Sequence, residues 1–480
     1  MENKDIQEQY GERAIEDTKE AFASAARIPV DAVKATIQVE KDGLGLVHQA
    51  AHVATEVAPL RQVKRFWYGL GPGLTTGAAD DDPSGIATYS QTGAKYGFSL
   101  LWLAAFTFPL MAVVQEMCAR IGMQTGRGLA YNIRKFFPRW VLITVAVLVL
   151  IANSFNIGAD LGALAKAVQL LAPTANYSLI VVSFTALCLL MEIFISYEKY
   201  ARYLKYLAMI LSVYIITAFV IRDFPWIQVA RSAFTPSFEG MDKEKIILIC
   251  GIFGTTISPY LFFWQTSQEV EEKIEEGKTL AQIAREEVPQ TEVNKMRVDV
   301  WVGMLFSNLA MFFIIAVCAA TLFSNGITNI NSASDAAAAL KPLAGEYASL
   351  LFALGIFGVG LLGVPVLAGS TSYVISETFG WKEGLHKKFS QAKAFYGVII
   401  FSMLIGLIMN FVGLDPIKAL IYSAIANGLV APVILVLIVL LSSKKHVMGA
   451  RTNHPVTTAI GWIAASVMII VAAATIYSLF

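Results

Sequence analysis

Gly77-Ala78-Ala79-Asp80-Asp81-Asp82-Pro83-Ser84-Gly85 and Gly254-Thr255-Thr256-Ile257-Ser258-Pro259 are short polar interruptions inside long apolar segments. Proline lacks a backbone donor and clashes with the preceding turn, so a helix carrying Asp-Pro or Ser-Pro is expected to break there. The broken backbone frees carbonyl groups. At bilayer depth such groups are tolerated only where they are buried in protein or line a wet cavity. Two broken spans in corresponding places point to a transporter's substrate site.

The rest of the chain places these breaks in a membrane. It is 56% hydrophobic and 15% charged, with a mean hydropathy of +0.59. Its apolar runs reach the ~20 residues that a bilayer crossing needs. Eleven spans are expected, at 66–93 (broken), 98–121, 140–171, 177–196, 201–221, 246–268 (broken), 298–324, 347–377, 394–412, 416–441 and 456–479. Cys118, Cys188, Cys250 and Cys318 all fall inside spans and read as small packing residues, not as a disulfide or metal framework. A net charge of +1 says nothing about nucleic acid, but no basic run interleaved with aromatics is present, and no nucleic-acid partner is expected. Nothing resembles a nucleophile and base pair, a histidine metal motif or a phosphate loop, so no enzymatic activity or cofactor is expected.

Lys and Arg concentrate in alternate loops, around Arg134, Lys199, Arg285, Lys387 and Lys444. By the positive-inside rule these loops face the cytoplasm, which puts the N-terminus inside and the C-terminus outside a cell membrane. Residues 1–64 lack the apolar core of a signal peptide and read as a cytoplasmic extension. The transporter domain is then 65–480. Counting each break with its own repeat gives five spans in each unit, 66–222 and 245–442, with an extra helix at 455–480. An odd number inverts the second unit, which predicts a pseudo-twofold axis in the membrane plane and broken helices meeting near the midplane. Gly355, Gly358, Gly360 and Gly363 read as close-packing positions in the eighth span.

The run Gly71-Pro72-Gly73, Asp82-Pro83, Ala87-Thr88, Gly93-Ala94, Tyr96-Gly97 and Leu101-Trp102 resembles the first helix of Nramp transporters, whose signature is Asp-Pro-Gly-Asn. Gly254-Thr255-Thr256-Ile257-Ser258-Pro259-Tyr260 is similar to their sixth-helix signature, Gly-Ala-Thr-Val-Met-Pro-His. The resemblance covers roughly residues 66–480. It implies an all-α integral membrane protein with a LeuT-like fold, transporting divalent metal ions as substrate and working as a monomer.

The resemblance assigns Asp82 to the family's metal-binding aspartate, and Ala79 and Thr255 to positions whose carbonyls coordinate metal, with Thr256 beside them. Asp80 and Asp81 are additional, and three successive side chains near a helix end do not all reach one ion. Gly85 stands where the family has asparagine and Ser258 where it has methionine. Losing the thioether removes the ligand that favours softer ions, while carboxylate, hydroxyl, carbonyl and water suit Mg²⁺. Losing the asparagine is expected to widen the pocket for a partly hydrated ion. The pattern resembles an Nramp-related magnesium-transporting branch, with Mn²⁺ as the other ion considered. Asn427 in the tenth span is a further candidate, through a water of the hydrated ion or through an interhelical hydrogen bond.

The family's third-helix acidic pair and sixth-helix histidine align with Asn153, Asn156 and Tyr260. None of these titrates near neutral pH, and His48, His52, His386, His446 and His454 all lie outside the expected spans. Transport is therefore expected to run without proton coupling. Two charges moving down ~100 mV gain roughly 4.6 kcal/mol, enough for about 10³-fold accumulation. Asp160 and Lys166 in the third span are read as a structural pair, with a proton-sensitive pair as the alternative, and the acidic run Glu269, Glu271, Glu272, Glu275 and Glu276 as a solvated helix face, with a cation-collecting mouth as the alternative. The alternatives are a proton-coupled Mn²⁺ or Fe²⁺ carrier and an organic-solute carrier on the same fold.

Overall fold

The computed structural model describes residues 71–195, 211–283 and 288–479. The expected extension at 1–64 lies outside them, as does about half of the fifth span, residues 201–210. By contacts the chain divides into two units, one of them residues 1–71 with 289–295 and the other Pro72–Val288 with Met296–Phe480. Both breaks lie in the second unit.

Among the described residues every regular element is a helix. Eight helices are long and apolar enough to cross a bilayer: Trp102–Thr125, Arg139–Leu171, Tyr177–Phe194, Lys243–Glu275, Gln290–Asn325, Lys341–Phe379, Pro416–Ser442 and Pro455–Leu479. The other three expected spans are the split first one, the shorter apolar helix Lys393–Met409, and the fifth, seen as Ser212–Val220.

Both breaks fall where the prolines demand. The first span runs Pro72–Asp80, then restarts at Pro83 and continues to Tyr96. The sixth runs Lys243–Thr256 and restarts at Pro259. Each restart has proline at the first helical position, where no donor is needed, behind an extended residue, Asp82 or Ser258.

Burial separates centre from rim. In the sixth span 89% of the apolar window is buried, against 33% in the eleventh and 22% in the fourth. Each residue from Pro83 to Ala94 is buried. The broken helices therefore form the core, and the fourth and eleventh offer their sides to lipid.

Glycines let these helices approach backbone to backbone. A Cβ at Gly93 in the first span would overlap the Ile315 carbonyl of the seventh, and one at Gly122 in the second would overlap the Thr266 carbonyl of the sixth. The first helix of each five-helix unit thus packs on the second helix of the other, which is how two inverted repeats interlock. Gly254, just before the sixth-span break, lies against Ala424 and Gly428 of the tenth span. Asp299 of the seventh span caps the leading end of the first, accepting from the backbone N–H of Gly73 at 2.6 Å and of Leu74 at 3.2 Å.

Candidate functional site

Asp82 occupies the first break because it caps the helix that restarts there. Its Oδ1 accepts from the Gly85 N–H at 2.9 Å and from the Ser84 hydroxyl at 2.5 Å. Its Oδ2 accepts from Asn156 Nδ2 of the third span at 2.9 Å. The carboxylate is fully buried, with hydrogen bonds on both oxygens and no cationic partner among them.

The other two aspartates turn elsewhere. Asp80 Oδ2 accepts from Ser307 Oγ of the seventh span at 2.6 Å, and Asp81 Oδ1 lies 3.3 Å from the same hydroxyl. Among the described residues no three His, Cys, Asp or Glu side chains gather as a metal cage.

At the sixth break the freed carbonyls are answered locally. Ser258 Oγ donates to the carbonyls of Gly254 at 2.9 Å and Thr255 at 2.8 Å. Thr256 Oγ1 donates to Ile252 O, stands 3.1 Å from Tyr89 OH and lies 3.6 Å from the Met311 sulfur of the seventh span. A thioether therefore stands beside Thr256, although residue 258 is serine. Tyr260 crosses between the breaks, its hydroxyl donating to the Ala79 carbonyl at 2.9 Å. The carbonyl of Ala79, an expected ligand, is thus held by Tyr260, which was expected to replace a proton-pathway residue.

Gly85 does not widen the pocket as its missing side chain suggested. A Cβ there would stand 3.0 Å from Thr255 Oγ1 and 3.3 Å from the Tyr89 ring, so neighbouring side chains have closed over the space. The two asparagines of the third span serve different partners. Asn156 reaches Asp82, whereas Asn153 donates to Thr371 Oγ1 at 2.9 Å and the Leu367 carbonyl at 3.3 Å in the eighth span. Asn427 is fully buried and neither atom of its carboxamide has a hydrogen-bond partner.

Two further expectations are corrected. Lys166 does not pair with Asp160: its ammonium donates to Gln169 Oε1 at 3.3 Å and lies over the Tyr177 ring, while both oxygens of the fully buried Asp160 lack a partner. The acidic end of the sixth span is not wholly solvated, because Glu269 and Glu271 are buried. Glu271 Oε1 accepts from Tyr373 OH at 2.6 Å and Leu385 N at 2.9 Å, and Oε2 from His386 N at 3.0 Å. The loop after the eighth span is thereby tied to the sixth. In that loop, burial pushes the Glu383 carboxyl up to about 7, against the lowering charges of Lys387 and Arg127.

Sequence reading missed Ser84, Tyr89, Ser307, Met311 and Gly363. Ser84 carried a signal, since serine two residues after a capping aspartate is placed to bond it. The other four come from contacts between distant segments.

The sequence matches the family described as Natural resistance-associated macrophage protein-like, Nramp, over residues 73–478. The chain belongs to the Nramp family. Among Nramp relatives, the divalent metal cation transporter MntH of Deinococcus radiodurans is 29% identical over 419 residues, covering 85% of this chain and 89% of that protein. MntH of Bacillus subtilis is 26% identical over 410 residues, covering 83% and 89%. The fold matches the manganese transporter of Eremococcus coleocola with a TM-score of 0.66, at 19% identity and 86% coverage of both chains. It also matches MhsT, solved in complex with L-phenylalanine, with a TM-score of 0.55 at 12% identity, covering 85% and 97%. This Nramp protein is therefore an all-α integral membrane protein of LeuT-like fold, and its relatives are transporters, not enzymes. The fold alone does not choose the substrate, because those two structures carry names with different ligands.

Proposed function

We propose that this Nramp protein is a divalent metal cation transporter that favours Mg²⁺ over Mn²⁺ and moves it, partly hydrated, without proton coupling. The observation that carries the reading is the donor set at the breaks. The oxygen groups at the breaks are the Asp82 carboxylate, the Ser84 hydroxyl and the Ala79, Gly254 and Thr255 carbonyls, and serine stands at 258 with its hydroxyl turned onto Gly254 and Thr255. Oxygen donors with one carboxylate suit an ion that dehydrates reluctantly and prefers oxygen. The three replaced proton-pathway positions act as hydrogen-bond donors to fixed partners, and none of them titrates near neutral pH. The ion's own charge then supplies the drive, with the Lys- and Arg-rich loops and the N-terminus on the cytoplasmic side.

A proton-coupled Mn²⁺ carrier is the second reading, favoured by Met311 beside Thr256 and by the buried carboxyl of Asp160. Protein reconstituted in liposomes separates the two. Mg²⁺ uptake is expected to follow membrane voltage and to leave luminal pH unchanged. Acidification of the lumen during metal entry, abolished by a protonophore, refutes uncoupled transport.

A further inference from the structure

Asp160 is a fully buried acid that the proposed mechanism leaves unused. It sits one helical turn beyond Asn156, so both side chains lie on the same face of the third span. That face meets the first break, because Asn156 donates to Asp82. A second measurement places Asp160 beside the same carboxylate. A Cβ built on Gly363 of the eighth span would stand 3.2 Å from Asp82 Cβ and 3.9 Å from Asp160 Oδ2. Asp160 Oδ2 is therefore no more than about 7 Å from Asp82 Cβ, and residue 363 sets no side chain against either group.

Among the described residues neither oxygen of Asp160 has a hydrogen-bond partner, nor does Asn156 Oδ1. Asn427 in the tenth span is buried with its carboxamide equally unanswered. Buried polar groups almost always have partners, and an unpaired buried carboxylate is more costly than a neutral group. The Asp160 and Asn156 orphan atoms are all acceptors, while the Ser154 hydroxyl of the same span can donate as well as accept, so what answers the Asp160 and Asn156 oxygens must be rich in donors. A hydrated divalent cation is such a body: its waters turn their oxygens to the metal and their hydrogens outward. A bound proton would satisfy one oxygen of Asp160 and leave the other acceptors unmet.

We propose that Asp160 is the second carboxylate of the ion site, accepting hydrogen bonds from the water shell of a divalent cation whose direct protein contact is Asp82. The inference rests on the proposed role of Asp82 as the ion's ligand. Mg²⁺ holds its waters at about 2.0–2.1 Å, and a water reaches a carboxylate oxygen over roughly 2.7 Å. At the spacing seen here, a water on the Asp160-facing side of an ion held by Asp82 comes within hydrogen-bond reach of Asp160. The third span then contributes an outer acceptor in place of an acid that carries protons.

Calorimetry on the purified full-length protein with MgCl₂ and with MnCl₂ tests this, using wild type, Asp160→Asn, Gly363→Ala and Asp82→Asn, with thermal unfolding of each in the absence of metal. Asp160→Asn is expected to weaken Mg²⁺ binding by about 10- to 100-fold, the range for loss of an outer-sphere partner. Mn²⁺, which gives up water more readily, is expected to lose less. Metal-free melting is expected not to fall, since the change removes an uncompensated charge. Gly363→Ala, whose methyl group would stand 3.2 Å from Asp82 Cβ and 3.9 Å from Asp160 Oδ2, is expected to weaken Mg²⁺ more than Mn²⁺, as a disturbed water shell would, and that ratio carries the test if Asp160→Asn does not fold. Binding of both ions within about threefold of wild type in Asp160→Asn, with binding lost in Asp82→Asn, overturns the role of Asp160 and leaves Asp82 standing. Equal loss of both ions together with a lower metal-free melting point assigns Asp160 to structure and also overturns it. Retention of binding in Asp82→Asn removes the site assignment itself.

Discussion

Asp82→Asn takes away one charge and almost no volume, and the structure lets its two consequences be separated. Asparagine caps helices about as well as aspartate, so its Oδ1 can keep the bonds from Gly85 N and Ser84 Oγ. The new amide would face Asn156 Nδ2, but Asn156 Oδ1 has no partner at present, so a flip of that carboxamide restores the contact. The net structural cost is roughly one hydrogen bond, about 1 kcal/mol. Ion binding fares differently. Removing one member of a buried charged pair costs on the order of 2–5 kcal/mol, which is about 30-fold to several thousand-fold in Kd. The assay is calorimetric titration with Mg²⁺ beside thermal unfolding without metal, followed by uptake in liposomes. A metal-free melting point near wild type with binding and uptake lost is the expected outcome. Mg²⁺ affinity within about threefold of wild type, with uptake preserved, would refute the claim that Asp82 contacts the ion.

Ser258→Met is expected to raise affinity for Mn²⁺ and Cd²⁺ relative to Mg²⁺, by restoring a soft ligand; an unchanged ratio in calorimetry would mean that residue 258 does not face the ion. Gly254→Ala would drive a methyl group into Ala424 O and Gly428 N of the tenth span, so loss of folded protein on size-exclusion chromatography is expected. Gly251→Ala, whose added carbon meets its nearest neighbours at ordinary van der Waals distances of 3.4–3.8 Å, is the tolerated control. Burial raises the Glu383 carboxyl from its usual range to about 7, so the folded protein holds that proton more tightly than the unfolded chain. Stability from this group is present below about pH 4.5 and is lost as pH rises through 7. Glu383→Gln is expected to flatten the fall in melting temperature between about pH 5 and 8, and parallel curves for variant and wild type would show that the group does not titrate there.

What could be read from the chain was what covalent chemistry and hydrophobicity fix locally. Pro83 and Pro259 break their helices wherever those helices sit, because a missing donor and a ring clash are properties of the residue. Long apolar runs need a bilayer, and their number and order give the repeat. Asp82 stood out as a site candidate because an ionisable side chain at bilayer depth has few other uses.

The rest depended on which face each helix turns inward. The third and eighth spans are apolar nearly all round, so no stripe in their sequences marks the side that meets Asp82. Asp160 therefore looked equally able to pair with Lys166, and Gly363 looked like one packing glycine among several. Only the packing of the third and eighth spans around the first break brought Asp160 near Asp82, with Gly363 close to both. The same holds for Gly85, whose space was closed by Thr255 from a segment about 170 residues away. Glu271 lost its expected solvation to Tyr373 and the loop at Leu385 for the same reason. Sequence determined where the backbone breaks and which charges are carried into the membrane. Tertiary packing decided which of those charges share one space, because that depends on the rotation and crossing of helices far apart in the chain, and local residue chemistry leaves both undetermined.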